Sequence, residues 1–265
     1  MKSILFIAFL IVSFSVQSKD TISWCAYYNW PPWIYPAGDG YDGILIEQLK
    51  QFEKDHNIKG ESIIIKNWKR CQIEVSEGRI DMLLGAYKTP NRMLKFTFLS
   101  KPSLINESKL NAYTAFDNAV IGPINGLDDL AKLRLVIDRG NSHGIKIDEF
   151  ISKLNKENLI TVNTMDQALN LIILKRFEYF FTNNSQLLQM ADKYAEVIPG
   201  LSNFRFRIIY TIRRETPAYI AFPIDRMAFD KFGTKWHQSL ANYSKSVDLK
   251  ERKYFHNANS LIFAK

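Results

Sequence analysis

The pattern of apolar and polar residues predicts alternating strands and helices in the first third of the chain. The clearest helix is amphipathic, with Leu45 and Leu49 on its apolar face. The predicted elements are a strand over 21–28, a helix over 43–56, a strand over 62–66, a helix over 69–77 and a strand over 80–86. This alternation argues for a parallel α/β sheet. Because binding sites in such sheets form beyond the carboxyl ends of the strands, the loops 29–42, 67–70 and 85–92 are candidates.

A second alternation of the same kind begins near residue 133. Its predicted elements are a strand over 133–138, a tight loop over 140–144, a helix over 145–154, a strand over 159–162, a helix over 165–174 and a strand over 179–182. Two α/β units imply two lobes. We expect the segments 110–116 and 217–222 to form extended crossings between the lobes. A long helix predicted over 224–244 would return to the first lobe.

The segment 78–92 carries the clearest chemical signal. It reads as a helix end, a short buried strand and a loop that opens a new helix. Thr89 can cap that helix, and Pro90 suits its first position because the N–H that proline lacks would be unpaired there. The guanidinium of Arg92 would then lie beside free backbone donors, an arrangement that suits a carboxylate. The alternative for Arg92 is a surface ion pair.

Residues 1–18 have the pattern of a secretory signal peptide. One early positive charge, Lys2, precedes an apolar run over 4–12, and small residues lie at Val16 and Ser18. A membrane-spanning helix needs about 20 apolar residues, so the run is short for an uncleaved anchor, which is the alternative. We expect cleavage near Ser18 and export of the mature protein to the periplasm.

The charge and composition of the chain narrow its function only slightly. The 265 residues carry a formal net charge of +8, but Lys and Arg are scattered rather than clustered. A basic, solvated surface is therefore favoured over a nucleic-acid footprint. The 46% content of apolar residues is enough for one large core or two medium ones.

The two cysteines of the chain are Cys25, on the first predicted strand, and Cys71, at the start of the second predicted helix. In an oxidising compartment such a pair suggests a disulfide. Two buried free thiols are the alternative, and the sequence leaves both open.

Three segments resemble the bacterial extracellular solute-binding proteins of the polar amino-acid type, which serve as receptors of ABC importers. Asn-Trp-Pro-Pro-Trp at 29–33, followed by the stretch 40–43, is similar to the family's aromatic-Pro-Pro-aromatic loop. The segment 78–92 is similar to its Gly-x-x-Asp strand and Thr-Pro-x-Arg loop. Gly-Asn-Ser at 140–142 resembles the Gly-Ser/Thr turn of its second lobe. The resemblance extends from about residue 21 to about residue 246.

The resemblance implies an α/β, two-lobed, periplasmic-binding-protein-like fold of type II, in which each lobe is a sheet flanked by helices and two crossing strands join them. After a signal peptide at 1–18, lobe 1 would comprise 19–115 and 217–265, and lobe 2 would comprise 116–216. The implied protein is a monomeric receptor that closes around a small carboxylate-bearing solute, an amino acid or derivative, for an ABC permease. No cofactor, metal or nucleic acid is expected.

The resemblance also assigns roles to individual residues. Trp30 would stack on the ligand, Arg92 would hold its α-carboxylate, and Tyr87 would line the first lobe. Ser142 lies in the turn that adds backbone donors to the same carboxylate. The alternative for Trp30 is a core aromatic. Tyr87 departs from the family, since many relatives carry a small hydroxyl residue there.

Asn183 is the more consequential departure. Amino-acid binders of this family usually place an Asp after the corresponding strand, where it pairs with the ligand's ammonium. The neutral amide of Asn183 can accept a hydrogen bond from an ammonium but loses the charge assistance. A zwitterionic amino acid is therefore in doubt as the ligand.

Two further residues have open interpretations. Arg70 lies near the same predicted strand ends and could meet a second acidic group of the ligand, or it could be a solvated residue at a helix start. His143, in the loop over 140–144, could face the cleft or be incidental, and no second ligand at metal spacing accompanies it.

Two other functions remain as alternatives. A sensory or orphan binding module that signals to a membrane partner would use the same pocket. A dehydratase-like enzyme on the same fold would need a general acid or base in the cleft. The acids nearest in sequence, Glu47 and Asp81, are predicted to lie away from it, so we expect a binding protein.

Overall fold

The computed structural model describes residues 20–118, 121–183, 187 and 205–243, so the predicted signal peptide and its cleavage site lie outside the described residues. The elements up to residue 98 are β1 (Asp20–Cys25), β2 (Tyr35–Ala37), β3 (Gly40–Asp42), α1 (Ile44–His56), β4 (Ile58–Ser62), α2 (Trp68–Ser76), β5 (Met82–Tyr87), α3 (Pro90–Met93) and β6 (Phe96–Phe98). The later elements are β7 (Leu104–Ala115), α4 (Leu127–Leu130), β8 (Leu135–Asp138), α5 (Ile145–Ser152), a 3-10 turn (Lys156–Asn158), β9 (Leu159–Val162), α6 (Met165–Ile173), β10 (Tyr179–Thr182), β11 (Phe206–Pro223) and α7 (Met227–Tyr243).

The strands pair in the order β4-β1-β5-β11-β7-β10-β8-β9, and β6 also pairs with β11. β1 runs parallel to both β4 and β5, and β8 runs parallel to both β9 and β10. Between these two parallel units lie the long strands β7 and β11, which are antiparallel to each other and to their outer neighbours. The predicted alternation of strands and helices is thereby confirmed, and β7 and β11 join the two halves of the molecule.

The described residues of the first lobe form two cores. The larger one draws side chains from β1, β5, α1 and α7, and within it Phe52 stacks on Trp236 with ring centroids 4.2 Å apart. The long helix α7 therefore returns to the first lobe, as predicted. A smaller core surrounds a disulfide between Cys25 and Cys71, which joins β1 to α2 across a Cα–Cα distance of 6.0 Å.

The second lobe has helices on both faces of its strands. Successive side chains of a strand point to opposite faces. Phe180 accordingly packs in one core with residues of α6, while Tyr179 and Phe181 pack in another with Ile147 of α5. Both faces of the strand are thus buried, which explains the continuous apolar run that marks it in the sequence.

The strand predicted over 62–66 is wrong. The strand lies earlier, at Ile58–Ser62, and the β-branched residues Ile63 and Ile64 that prompted the prediction are 41% and 53% exposed. Among the described strands, β4 is at the edge of the sheet and pairs with β1 alone, so it needs few apolar side chains. The lobe boundaries at 115–116 and 216–217 stay a prediction.

None of the helices in the described residues has the length and apolar character that a membrane crossing requires.

Candidate ligand-binding site

A cavity lies between the lobes, beyond the carboxyl ends of β1, β5 and β10. It encloses about 490 Å³ of empty space, including the part that opens to solvent. Its lining is drawn from both lobes and comprises Tyr27, Trp30, Trp68, Gly85, Ala86, Tyr87, Arg92, Leu110, Asn141, Ser142, His143, Phe181, Thr182 and Asn183. Its position at the strand ends between two lobes is where small-ligand pockets of α/β folds form.

Arg92 enters the cavity from the short helix α3. Thr89 caps this helix, its Oγ1 accepting from the Arg92 N–H at 3.4 Å, and Pro90 occupies the first turn, as the sequence indicated. The guanidinium donates from Nη1 to the Tyr87 carbonyl at 3.0 Å and from Nη2 to the Gly140 carbonyl at 2.9 Å. Because a guanidinium has five N–H donors, these two bonds leave capacity for a ligand.

Arg92 is a buried charge. Its residue surface is only 7% exposed, and its guanidinium carbon lies 5.6 Å from the centre of the Trp68 ring. Burial lowers the pKa of Arg92 to about 10, which still leaves the side chain charged near neutral pH. Backbone carbonyls and the charge of Asp148, which opposes the effect of burial on the pKa, offset the charge of Arg92 only partly, so the site favours an anion.

Aromatic side chains form the first-lobe wall of the cavity. The rings of Trp30 and Tyr87 meet edge to face with centroids 5.5 Å apart. Gly85 lets Leu45 and Trp30 pack closely against the strand behind this wall. A Cβ at this position would lie 2.5 Å from Leu45 Cδ1 and 3.6 Å from Trp30 Cζ3, and the φ of +85° also favours glycine. Sequence reasoning missed this glycine, although its place inside a strand was a visible signal.

The second lobe contributes a turn after β8 that is held by Asp148. The carboxylate of Asp148 accepts from Ser142 Oγ at 2.5 Å and from the His143 N–H at 2.7 Å. Ser142 and His143 are both buried, and the imidazole lies 5.5 Å from the Phe181 ring. The turn therefore presents a fixed surface to the cavity.

Hydrogen bonds join the lobes around the cavity, so the structure is a closed form. Tyr27 Oη donates to Asp138 Oδ2 at 2.7 Å, and Gln72 Nε2 donates to the Gly140 carbonyl at 2.9 Å. The same carbonyl accepts from Arg92. Gly140, at φ +80°, packs so close to α2 that a Cβ would lie 3.0 Å from Lys69 Cβ. No sequence motif indicates the pairing of Tyr27 with Asp138 or of Gln72 with Gly140.

A basic groove borders the cavity on the other side of Arg92. Its charged lining residues are three cations, Lys69, Lys95 and Arg92, and one acid, Asp148. Partial burial, with smaller effects from the charges of Lys95 and Arg92, lowers the pKa of Lys69. The described charges that line the groove are therefore positive on balance.

Six of the seven residues predicted to bind ligand line the one cavity, namely Trp30, Tyr87, Arg92, Ser142, His143 and Asn183. The structure places Arg70 elsewhere. Its side chain is 72% exposed and lies 3.5 Å from Glu74 on the outer face of α2. The inward face of α2 carries Trp68 and Gln72 instead.

The two acids considered for catalysis lie in first-lobe structure and not in the cavity lining. Glu47 accepts from Tyr243 Oη at 2.7 Å, between α1 and α7. Asp81 accepts from the backbone N–H and the hydroxyl of Ser23. In the described part of the chain, no three His, Cys, Asp or Glu side chains are grouped to hold a metal ion.

No protein-family model matches the chain, and no curated protein matches its sequence. Solved structures match its fold over most of its length. An ancestral arginine-binding protein bound to arginine is 18% identical with a TM-score of 0.68, over 89% of this chain and 98% of that one. The substrate-binding protein of an amino acid ABC transporter is 16% identical with a TM-score of 0.66, over 89% and 99%. A histidine kinase sensor domain with similarity to periplasmic binding proteins is 16% identical with a TM-score of 0.69, over 93% and 99%. The chain therefore has the two-lobed α/β fold of periplasmic solute-binding proteins.

Proposed function

We propose that the protein captures a small carboxylate-bearing solute, an amino acid or a derivative of one, between its lobes and delivers it to an ABC importer. The observation that carries the proposal is Arg92, a buried and charged guanidinium between an aromatic wall and the second-lobe turn. A buried charge is costly unless an opposite charge accompanies it. A ligand carboxylate would supply that charge and could accept two parallel hydrogen bonds.

Capture would proceed by closure. The solute would dock on Arg92 and the rings of Trp30 and Tyr87 in the open form, and the turn carrying Ser142 and His143 would reach it only on closing. Because the ligand contacts both lobes in the closed form alone, its binding favours that form. A dissociation constant of 1 μM corresponds to about −8 kcal/mol, a magnitude within reach of one carboxylate clamp and one stacked ring.

The proteins of similar fold support a transport receptor. They include ancestral proteins bound to arginine and to glutamine, and the binding protein of an amino acid ABC transporter. The signal peptide predicted at 1–18 agrees with a periplasmic location. We propose that lobe 1 comprises 19–115 and 217–265, that lobe 2 comprises 116–216, and that the receptor is a monomer.

A thermal-shift screen of the mature protein against amino acids, dicarboxylates and small peptides tests the proposal. A ligand at 100 times its dissociation constant stabilises the folded state by about 2.7 kcal/mol. We expect the shift to disappear in Arg92→Ala and to persist in Arg70→Ala, a matched control because Arg70 is an arginine outside the cavity. A hit that survives in Arg92→Ala, or a panel with no hit at all, would contradict the proposal.

The second candidate is a sensory module that reports the same solute to a membrane partner. The similarity to a histidine kinase sensor domain favours it. The two functions differ in what a gene deletion removes. Loss of uptake of the identified solute indicates a transport receptor, whereas intact uptake with a lost transcriptional response to that solute indicates a sensor.

A further inference from the structure

Among the described residues that line the cavity, Arg92 carries the one formal charge. The adjoining groove adds two cations, Lys69 and Lys95, and one acid, Asp148. An ammonium on the ligand would be repelled by the three cations, whereas a carboxylate would be attracted by them. The electrostatics therefore favour a ligand with a net negative charge.

The two second-lobe acids nearest the cavity are already engaged. Asp138 accepts from Tyr27 Oη and from Asn141 Nδ2, at 2.7 and 3.0 Å. Asp148 accepts from the side chain of Ser142 and the backbone of His143. Each carboxylate uses both oxygens to hold the turn or the lobe contact, and neither acid is among the described residues that line the cavity.

Neutral groups occupy the end of β10, where the strand reaches the cavity. Thr182 and Asn183 both line it. Their hydroxyl and amide can exchange hydrogen bonds with an uncharged polar group, but they offer no charge to a cation.

Flat apolar surfaces enclose the rest of the cavity from both sides. The first lobe presents the rings of Trp30, Trp68 and Tyr87, and the second lobe presents Phe181 with the imidazole of His143 beside it. Aromatic walls on two sides suit a planar apolar group, since rings pack edge to face or offset against one another.

We infer that the solute is an aryl or similarly flat carboxylate of amino-acid size without a cationic ammonium, such as an arylalkanoate. This inference rests on the proposed function, which it narrows from amino acids and their derivatives to those derivatives that lack the charged amine. Arg92 holds the carboxylate, the rings of the two lobes enclose the planar body, and Asn183 faces a neutral part of the ligand.

A matched set of three probes tests the inference by titration calorimetry. The probes 3-phenylpropanoate and L-phenylalanine share a carbon skeleton and differ only in the α-ammonium, and phenethylamine lacks the carboxylate. We expect 3-phenylpropanoate to bind at least about tenfold more tightly than L-phenylalanine, and phenethylamine not to bind. Arg92→Ala should abolish the binding of 3-phenylpropanoate, and Arg70→Ala should retain it.

Asn183→Asp supplies a specificity test within the same site. A carboxylate at this position should shift the ratio of the two affinities towards L-phenylalanine by about tenfold, because it adds a charge-assisted hydrogen bond to the ammonium. An unchanged ratio would show that position 183 does not face the α-substituent and would overturn that part of the inference.

The remaining outcomes separate the inference from the proposed function. If L-phenylalanine binds as tightly as 3-phenylpropanoate or more tightly, with loss in Arg92→Ala, the inference fails and the proposed carboxylate receptor stands. A further probe, 3-cyclohexylpropanoate, has the same length but no planar ring. If it binds better than 3-phenylpropanoate, the inference that the ligand has a planar body is wrong. If no carboxylate of the wider panel binds, both proposals fail.

Discussion

Replacing Gly140 by alanine should hinder closure of the lobes. Gly140 belongs to the second-lobe turn and packs against α2 of the first lobe. A Cβ at this position would lie 2.9 Å from Gln72 Nε2, 3.0 Å from Lys69 Cβ and 3.1 Å from Lys69 Cα. The Cα of a helical residue cannot rotate away as a side-chain tip can, so the lobes themselves must separate by a few tenths of an ångström.

Overpacking of this kind typically costs about 1–3 kcal/mol. Because the contact exists only between closed lobes, the cost falls on closure and weakens ligand binding by roughly 5- to 150-fold. The bond from Arg92 to the Gly140 carbonyl would lengthen with the same displacement. The substitution also strains a backbone with φ of +80°, and this second cost is present whether the lobes are open or closed.

Gly38→Ala is the control that separates the two costs. Gly38 also has a positive φ, of +55°, but a Cβ there would meet nothing within 4 Å. We expect both variants to lose thermal stability and only Gly140→Ala to lose affinity for 3-phenylpropanoate in titration calorimetry. Small-angle scattering of the unliganded protein should show a larger radius of gyration for Gly140→Ala than for Gly38→Ala. Equal affinities and equal radii in the two variants would show that the contact of Gly140 with α2 does not control closure.

Three further predictions concern the lobe contact and the first-lobe core. Tyr27→Phe removes the donor to the buried Asp138 carboxylate, so titration calorimetry should show binding weakened by about 1.5–3 kcal/mol; unchanged affinity would mean that this contact does not support closure. Replacing Cys25 and Cys71 together by alanine opens a cross-link between residues 46 positions apart and should lower the free energy of unfolding by about 4 kcal/mol in denaturant titrations; a loss below about 1 kcal/mol would contradict this. Burial raises the pKa of Asp138 in the folded protein above its value in the unfolded chain. The contribution of Asp138 to the free energy of unfolding is therefore greatest below the unfolded-state pKa and declines as the pH rises through the folded-state pKa. Thermal unfolding measured from acid to neutral pH should show this decline in the unmodified protein and not in Asp138→Asn. Identical pH profiles of the two proteins would contradict the prediction.

The fold could be predicted from the sequence because several of its central strands, Met82–Tyr87 among them, are buried on both faces and read as apolar runs. Tyr179–Thr182 is such a strand, and its predicted bounds agree with the structure. The edge strand Ile58–Ser62 could not be found in this way, since Lys59 and Glu61 are exposed and only Ile58 is fully buried. The long strands β7 and β11 extend well beyond the apolar segments that marked them, because two antiparallel strands can continue their pairing through polar residues.

The candidate site could be predicted where local chemistry decides the position of a side chain. Thr89 and Pro90 start the helix that presents Arg92, and all three are neighbours in the chain. The prediction for Arg70 depended instead on the rotation of α2. Successive helical residues point about 100° apart. An error of one residue in deciding which position faces the cavity therefore selects Arg70, which points outward, instead of Lys69, which lines the groove.

The contacts between the lobes could not be predicted. The pairing of Tyr27 with Asp138 joins residues 111 positions apart, and neither residue lies in a motif that indicates the other. Such pairs depend on the angle between the lobes, which the periodicity of single elements does not specify.

The most direct test of the central claim is a crystal structure of the protein with a solute identified in the thermal-shift screen. We expect both carboxylate oxygens of the solute to lie about 2.7–2.9 Å from guanidinium nitrogens of Arg92, with the body of the solute between Trp30 and Phe181. A solute bound between the lobes with its carboxylate directed away from Arg92, or one bound outside this cavity, would contradict it.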